Sequence, residues 1–238
     1  YEYSYTEIMF SPGYFEINLK KGKEVSIIFS DSILKSFKIE NKSKILNKFK
    51  TKSLLGKILL LRSSDFITEY GIVAGYPWFT SWGRDTFISI PGLLLYPERI
   101  EEVRKIFKIA SKYIKNGLVP NIFGFKNPSS YNSVDASLFF IWALSKYVEI
   151  IGNDGFVKSM KDSTLEIIDN YIKGTDFGIK MDSDGLIYAY SPSKSLTWMD
   201  AVFRGKPITQ RGGKPVEIQS LWYNALKFVK NMDLLLIE

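Results

Sequence analysis

The sequence predicts a mainly α-helical protein whose helices form an inner and an outer layer, as in a toroid of helix pairs, preceded by a short β segment. Three observations predict it. From about Arg84 onward the apolar residues recur with helical spacing. Within that region nearly all-apolar segments alternate with segments carrying one apolar stripe. Strict alternation with turn residues is confined to the first thirty positions. A helix apolar all round must be buried, and a helix with one stripe lies at a surface. Their alternation therefore reads as two layers.

Residues 1–30 read as two strands, Tyr14 to Leu19 and Val25 to Phe29, joined at Lys21-Gly22-Lys23 and preceded by Ser11-Pro12-Gly13. Residues 31–65 read as a basic linker helix. Eight lysines and one acid lie between Lys35 and Lys57, so this window carries the whole chain's net charge of +7. Ile39, Ile45, Leu46, Phe49 and Leu54 interleave with the lysines as the buried face of a solvated helix would. Residues 66–238 form the helical body. An apolar segment, Phe87 to Tyr96, is interrupted by Pro91-Gly92, and an amphipathic one follows from Pro97 to Lys115. A nearly all-apolar helix, Val134 to Ile151, precedes an amphipathic one from Asp154 to Lys173, stopped by Gly174. A connection bearing a hairpin turn at Asp182-Ser183-Asp184-Gly185 leads to an apolar-rich helix from Val216 onward.

Composition restricts the chemistry. With no cysteine the chain has neither disulfide nor thiol nucleophile, and with no histidine it lacks the commonest general base and metal ligand. Carboxylates are left to do any acid–base work. No metal site and no cofactor is expected; the Asp/Gly turns at Asp154, Asp182 and Asp184 offer too few ligands for calcium. The lysine-rich window raises nucleic acid as a partner, but it contains no arginine for two-pronged phosphate contacts. No nucleic acid and no membrane partner is expected, and no apolar run is long enough for a span. A start at Tyr1 rather than Met reads as a fragment or a processed chain.

The unusual residues gather at one structural place. Trp82-Gly83-Arg84-Asp85, Tyr131-Asn132-Ser133-Val134-Asp135 and Lys214-Pro215-Val216-Glu217 each open an inner helix, and Thr197-Trp198-Met199-Asp200 leads into the last. Inner helices separated by returning outer ones run parallel, which brings all four clusters to one end. Singly, Asp85, Asp135 and Glu217 are what helix capping and the macrodipole select, and Asp135 reads as a cap. Arg84 beside Asp85 reads equally as an ordinary ion pair, and Trp142 as core. Together, carboxylates, an arginine and tryptophans suit sugar rings and their hydroxyls, and paired carboxylates hydrolyse glycosidic bonds.

These residues also carry a family resemblance. Ala74-Gly75-Tyr76-Pro77-Trp78-Phe79, Trp82-Gly83-Arg84-Asp85-Thr86, Gly117-Leu118-Val119-Pro120-Asn121, Tyr131-Asn132-Ser133-Val134-Asp135, Asp184-Gly185-Leu186, Leu196-Thr197-Trp198-Met199-Asp200-Ala201, Arg211-Gly212-Gly213-Lys214-Pro215-Val216-Glu217 and Trp222-Tyr223-Asn224-Ala225-Leu226 occur in that order. In them the chain resembles the glycogen debranching enzymes, in their amylo-α-1,6-glucosidase part. The resemblance implies part of an (α/α)6 barrel like that of glucoamylases, with the β segment as the tail of a preceding β-sandwich. It implies that Asp200 is the general acid, with a pKa raised by Trp198 and Met199. It implies that Glu217 is a supporting or second carboxylate, and that Trp82, Arg84, Asp85, Asn132, Asp135, Trp198 and Trp222 bind substrate. The reaction it implies is inverting hydrolysis of α-1,6 branch linkages in glycogen-like α-glucans, in the cytoplasm.

The departures from that family are also visible. About five helices follow Arg84, fewer than a closed barrel needs, and the family's general base lies beyond the Trp-Tyr-Asn-Ala-Leu motif. The chain is therefore expected to carry the acid side only and to be inactive alone. A second copy or a complementary chain is expected to cover the open barrel. The alternative is a non-catalytic, glycan-binding or regulatory relic of the same fold.

Overall fold

A computed structural model describes residues 13–23, 25, 27, 53–76, 78–123 and 130–235. Among the described residues of the expected strand pair, a turn closes from the Lys23 N–H to the Lys20 carbonyl, and none of them lies in a strand. The other residues of that pair, and the linker from 31 to 52, lie outside the described residues. The linker's last part is helix α1, Leu54–Ser63, started by Ser53, whose Oγ accepts the Gly56 N–H. Its Leu54, Leu55, Ile58 and Leu59 are exposed rather than turned down onto the body.

Strand β1, Ser81–Trp82, leads directly into α2, Gly83–Ile90, which continues through one wide turn, Pro91–Leu95. The expected interruption at Pro91-Gly92 is thus a π turn, closed by the Tyr96 N–H on the Pro91 carbonyl at 3.0 Å. Helix α3, Ile100–Ser111, buries Val103, Ile106, Phe107 and Ala110, the i, i+3, i+4, i+7 stripe of a surface helix. The chain then turns back through Gly117 to β2, Ile122–Phe123, which pairs antiparallel with β1. Helix α4, Ala136–Ile151, is the centre of the molecule and packs against both α2 and α7.

Phe87 of α2, Phe107 of α3 and Phe140 of α4 meet with ring centroids 4.9–5.4 Å apart. Each such pair contributes about 0.5–1.5 kcal/mol beyond its buried area. The amphipathic segment after α4 is two helices, α5 (Gly155–Ser159) and α6 (Lys161–Lys173), bent at Met160. Asp154 is the cap of α5, accepting from the Phe156 and Val157 N–H groups, and Gly174 (φ 103°) ends α6 as expected. Strands β3 (Lys180–Met181) and β4 (Ile187–Tyr188) form the expected hairpin. A small hairpin of β5 (Val202–Phe203) and β6 (Lys206–Pro207) precedes the last helix, α7, Val216–Leu235.

Helices α2, α4 and α7 therefore lie side by side and parallel, with α3 and α6 returning outside them. Their N-termini share one end. At the other, the C-terminal halves of α4 and α7 border a groove of about 320 Å³ that includes Trp142, Phe228 and Met232. The expected inner character holds best for α4; α7 buries Ile218, Leu221, Trp222 and Ala225 but exposes Val216 and Tyr223. Among the described residues no helix is long and apolar enough to cross a membrane.

Candidate active site

At the shared N-terminal end, α2 starts against the segment that precedes β2. The Gly83 N–H donates to the Asn121 carbonyl at 2.9 Å, and a Cβ on Gly83 would stand 2.3 Å from the Pro120 oxygen. Only glycine permits this approach, and it fixes where the next two side chains emerge. Arg84 reaches across to α4, where its Nε donates to Asp135 Oδ2 at 2.7 Å. The two side chains are 12% and 2% exposed.

Asp135 is not the cap that its position suggests. The hydroxyl of Ser133 accepts the Ala136 N–H and donates to Asp135 Oδ1, so the carboxylate is left for Arg84. Nor do Arg84 and Asp85 form the neighbouring ion pair that the sequence allows. The other side of the Arg84 guanidinium faces Asp200, with Nη1 3.9 Å from Oδ2.

Arg84, Asp85 and Asp200 line a cavity of about 220 Å³ together with Ala74, Phe79, Trp82 and Trp198. That volume lies below the roughly 300–1,000 Å³ of pockets for drug-sized ligands and suits a single small polar unit. Phe79 meets Trp82 edge-on at 6.1 Å, and Trp198, 54% exposed, also lines the cavity. Burial pushes the Asp85 carboxyl above its usual range; Arg84 opposes the shift, and the charges of Asp135 and Asp200 add to it. The Asp200 side chain is 45% exposed. The β5–β6 hairpin that follows leaves Val202 and Phe203 exposed and does not cover it.

Glu217, in the first turn of α7, is gripped by Arg211, whose Nη1 and Nη2 reach its two oxygens. The hydrogen bonds from Arg211 hold this carboxyl below its usual range against a smaller opposing effect of burial, and the Trp198 side chain adds to the lowering. It is an anion and an acceptor at neutral pH. Among the described residues no three acidic side chains gather as a metal ion would require.

The family model for amylo-alpha-1,6-glucosidase matches residues 42–237. The chain belongs to the amylo-alpha-1,6-glucosidase family. A glycogen debranching enzyme of Saccharomyces cerevisiae (strain ATCC 204508 / S288c) is 28% identical over 218 residues, covering 66% of this chain. The chain spans 14% of that yeast protein's length.

Not every residue to which the family resemblance assigns substrate contact lies at the cavity. Trp222 is 2% exposed; it stacks on Tyr171 with centroids 6.0 Å apart and donates Nε1–H to the Gly185 carbonyl. It belongs to the core and holds the β3–β4 turn. Asn132 donates to the Ser195 carbonyl at 3.1 Å and accepts from Ser130, tying the loop before α4 to the loop that carries Asp200. Asp184 is likewise structural, because Lys214 bridges it and Asp182. Sequence reasoning gave no role to Ala74, Phe79 or Arg211. Phe79 was within reach, as an aromatic three residues before Trp82. Arg211 had a signal in its place six residues before Glu217, but that pair depends on a bend the sequence does not announce.

Proposed function

We propose that this end of the helix array binds the terminal glucose of a branched α-glucan and carries the acid side of an inverting α-1,6-glucosidase. One observation supports the reading above the others: Arg84, Asp85 and Asp200 converge in one small cavity between Trp82 and Trp198. Arg84 and Asp85 hold sugar hydroxyls, and the two indoles confine the ring. Asp200 donates its proton to the leaving glycosidic oxygen. Its side chain, 45% exposed, is open to an arriving glycosidic oxygen. A second carboxylate, about 6.5–9.5 Å away across the sugar, takes the proton of the attacking water. Glu217, held as an anion, supports the indole wall rather than supplying acid.

In the same reading the row of α2, α4 and α7 is part of an (α/α)6 toroid. The exposed side of α7, with Val216 and Tyr223, is then covered by a second copy or a complementary chain. Light scattering on purified chain, run with a glucose-release assay on branched limit dextrin, tests both parts. Release that falls by about 10²–10⁴-fold in Asp200→Asn is the expected result for a general acid. Glucan binding that survives Asp200→Asn, with no release from any assembly, assigns the chain instead to a non-catalytic glycan-binding role.

A further inference from the structure

Arg211 has a task that neither the motifs nor the fold assigns. Its guanidinium grips Glu217 through both terminal nitrogens, and its Cζ lies 6.0 Å from the centre of the Trp198 ring. One guanidinium therefore joins the first turn of α7 to the Trp198 ring: arginine on carboxylate, and arginine over the indole face.

The base of this arrangement is rigid. Gly212 passes so close to Tyr190 that a Cβ would stand 2.4 Å from its ring, and Gly213 pairs with Ala189 in both directions. Lys214 is fastened to Asp182 and Asp184. The segment it holds is irregular. Leu196 is anchored through its carbonyl to the Val134 N–H and Ala201 through its carbonyl to the Ile208 N–H. Between them, Trp198 lies against Arg211 while Asp200 faces Arg84.

We infer that Arg211 is a positioning residue: held by Glu217, it stands over the indole of Trp198 and so sets the loop that carries Asp200. The consequence for glucan rests on the function proposed above, but the clamp itself does not. The charged groups around it are Glu217 from α7, Asp135 from the start of α4, which faces Arg211, and Asp200 on the clamped loop.

The indole N–H resonance of Trp198, assigned by its loss in Trp198→Phe, reads the clamp without any ligand. In the parent chain it should stay fixed while pH falls through the ordinary glutamate value of about 4.3, because Arg211 holds Glu217 ionised. In Arg211→Gln it should titrate near that value and exchange with water at least about fivefold faster, as expected when a cation–π contact and a two-pronged pair are lost. Arg211→Lys keeps the charge and should restore the flat pH profile but not the slow exchange, and Glu217→Gln should remove the pH dependence altogether. The indole signals of Trp142 and Trp222 should stay where they are, which separates a local clamp from general loosening. An unchanged Trp198 signal and pH profile in Arg211→Gln overturns the inference. Titration with maltotetraose should then shift the Trp198 signal in the parent, with about fivefold weaker affinity in Arg211→Gln. No shift in the parent removes the glucan reading and leaves the clamp standing.

Discussion

Arg84 and Asp135 join two helices at the floor of the cavity, and the structure makes their replacement unequal. Asp135 is 2% exposed and, when Arg84 is removed, keeps the Ser133 hydroxyl as its one side-chain hydrogen bond, with the charge of Arg211 farther off. Arg84 is 12% exposed and still has Asp200 at 3.9 Å when Asp135 is neutralised. Both members lie far below one-third exposure, so the pair is a buried one and solvent screening takes little from it. Arg84→Gln strands a buried anion and should destabilise the chain by about 3–5 kcal/mol. Asp135→Asn leaves an amide that still accepts one hydrogen bond and should destabilise by about 1–3 kcal/mol. The double variant should be less damaged than the sum of the two by about 2 kcal/mol, since neither single loss is counted twice. Urea unfolding followed by far-ultraviolet circular dichroism gives all three values, and an unchanged slope certifies the comparison. Additivity within about 0.5 kcal/mol, or a costlier Asp135→Asn than Arg84→Gln, would refute the assignment of Arg84 to a buried Asp135.

Three further outcomes follow from the same geometry. Asp85→Asn should raise the melting temperature at pH 7, since a carboxyl held above its ordinary 3.8 stabilises the fold only while protonated and loses that contribution as pH rises. The gain should shrink toward pH 3 while glucan affinity is lost throughout. Trp222→Phe keeps the stack on Tyr171 but abandons the Gly185 carbonyl, so it should cost about 1–3 kcal/mol in urea unfolding and leave glucan affinity as it was. Gly83→Ala should cost about 2–4 kcal/mol, because the new methyl must push the 119–121 segment away and break the bond to Asn121; a melting curve within a degree of the parent would count against the close approach.

What could be read from the sequence was whatever neighbouring residues decide. The run from Ala136 to Ser145 has no charge at all, and it became the central helix; Asp182 to Gly185 and Gly174 became the turn and the stop they spell. The failures were decided from far along the chain. Ser133 and Asp135 both suit the cap of one helix, and the tie is broken by Arg84, 51 residues earlier. Trp222 reads as a sugar wall, yet its side chain is buried and a carbonyl 37 residues before it takes the indole N–H. Pro91 signals a break, yet a wide turn accommodates it without ending the helix. Asp200 follows two apolar residues and reads as desolvated, yet its side chain is 45% exposed. The cavity's membership was legible because cap-type residues gather at helix starts. The clamp that shapes it was not, because its partners face each other only after the chain folds back.

Calorimetric titration with a branched α-limit dextrin, for the parent chain beside Asp85→Asn and Trp198→Ala, tests the central claim most directly. Saturable binding that both variants abolish, with no binding of a β-1,4-linked glucan by any of the three, is the predicted result. Binding that both variants leave intact, or a folded parent that takes up no α-glucan, would contradict it.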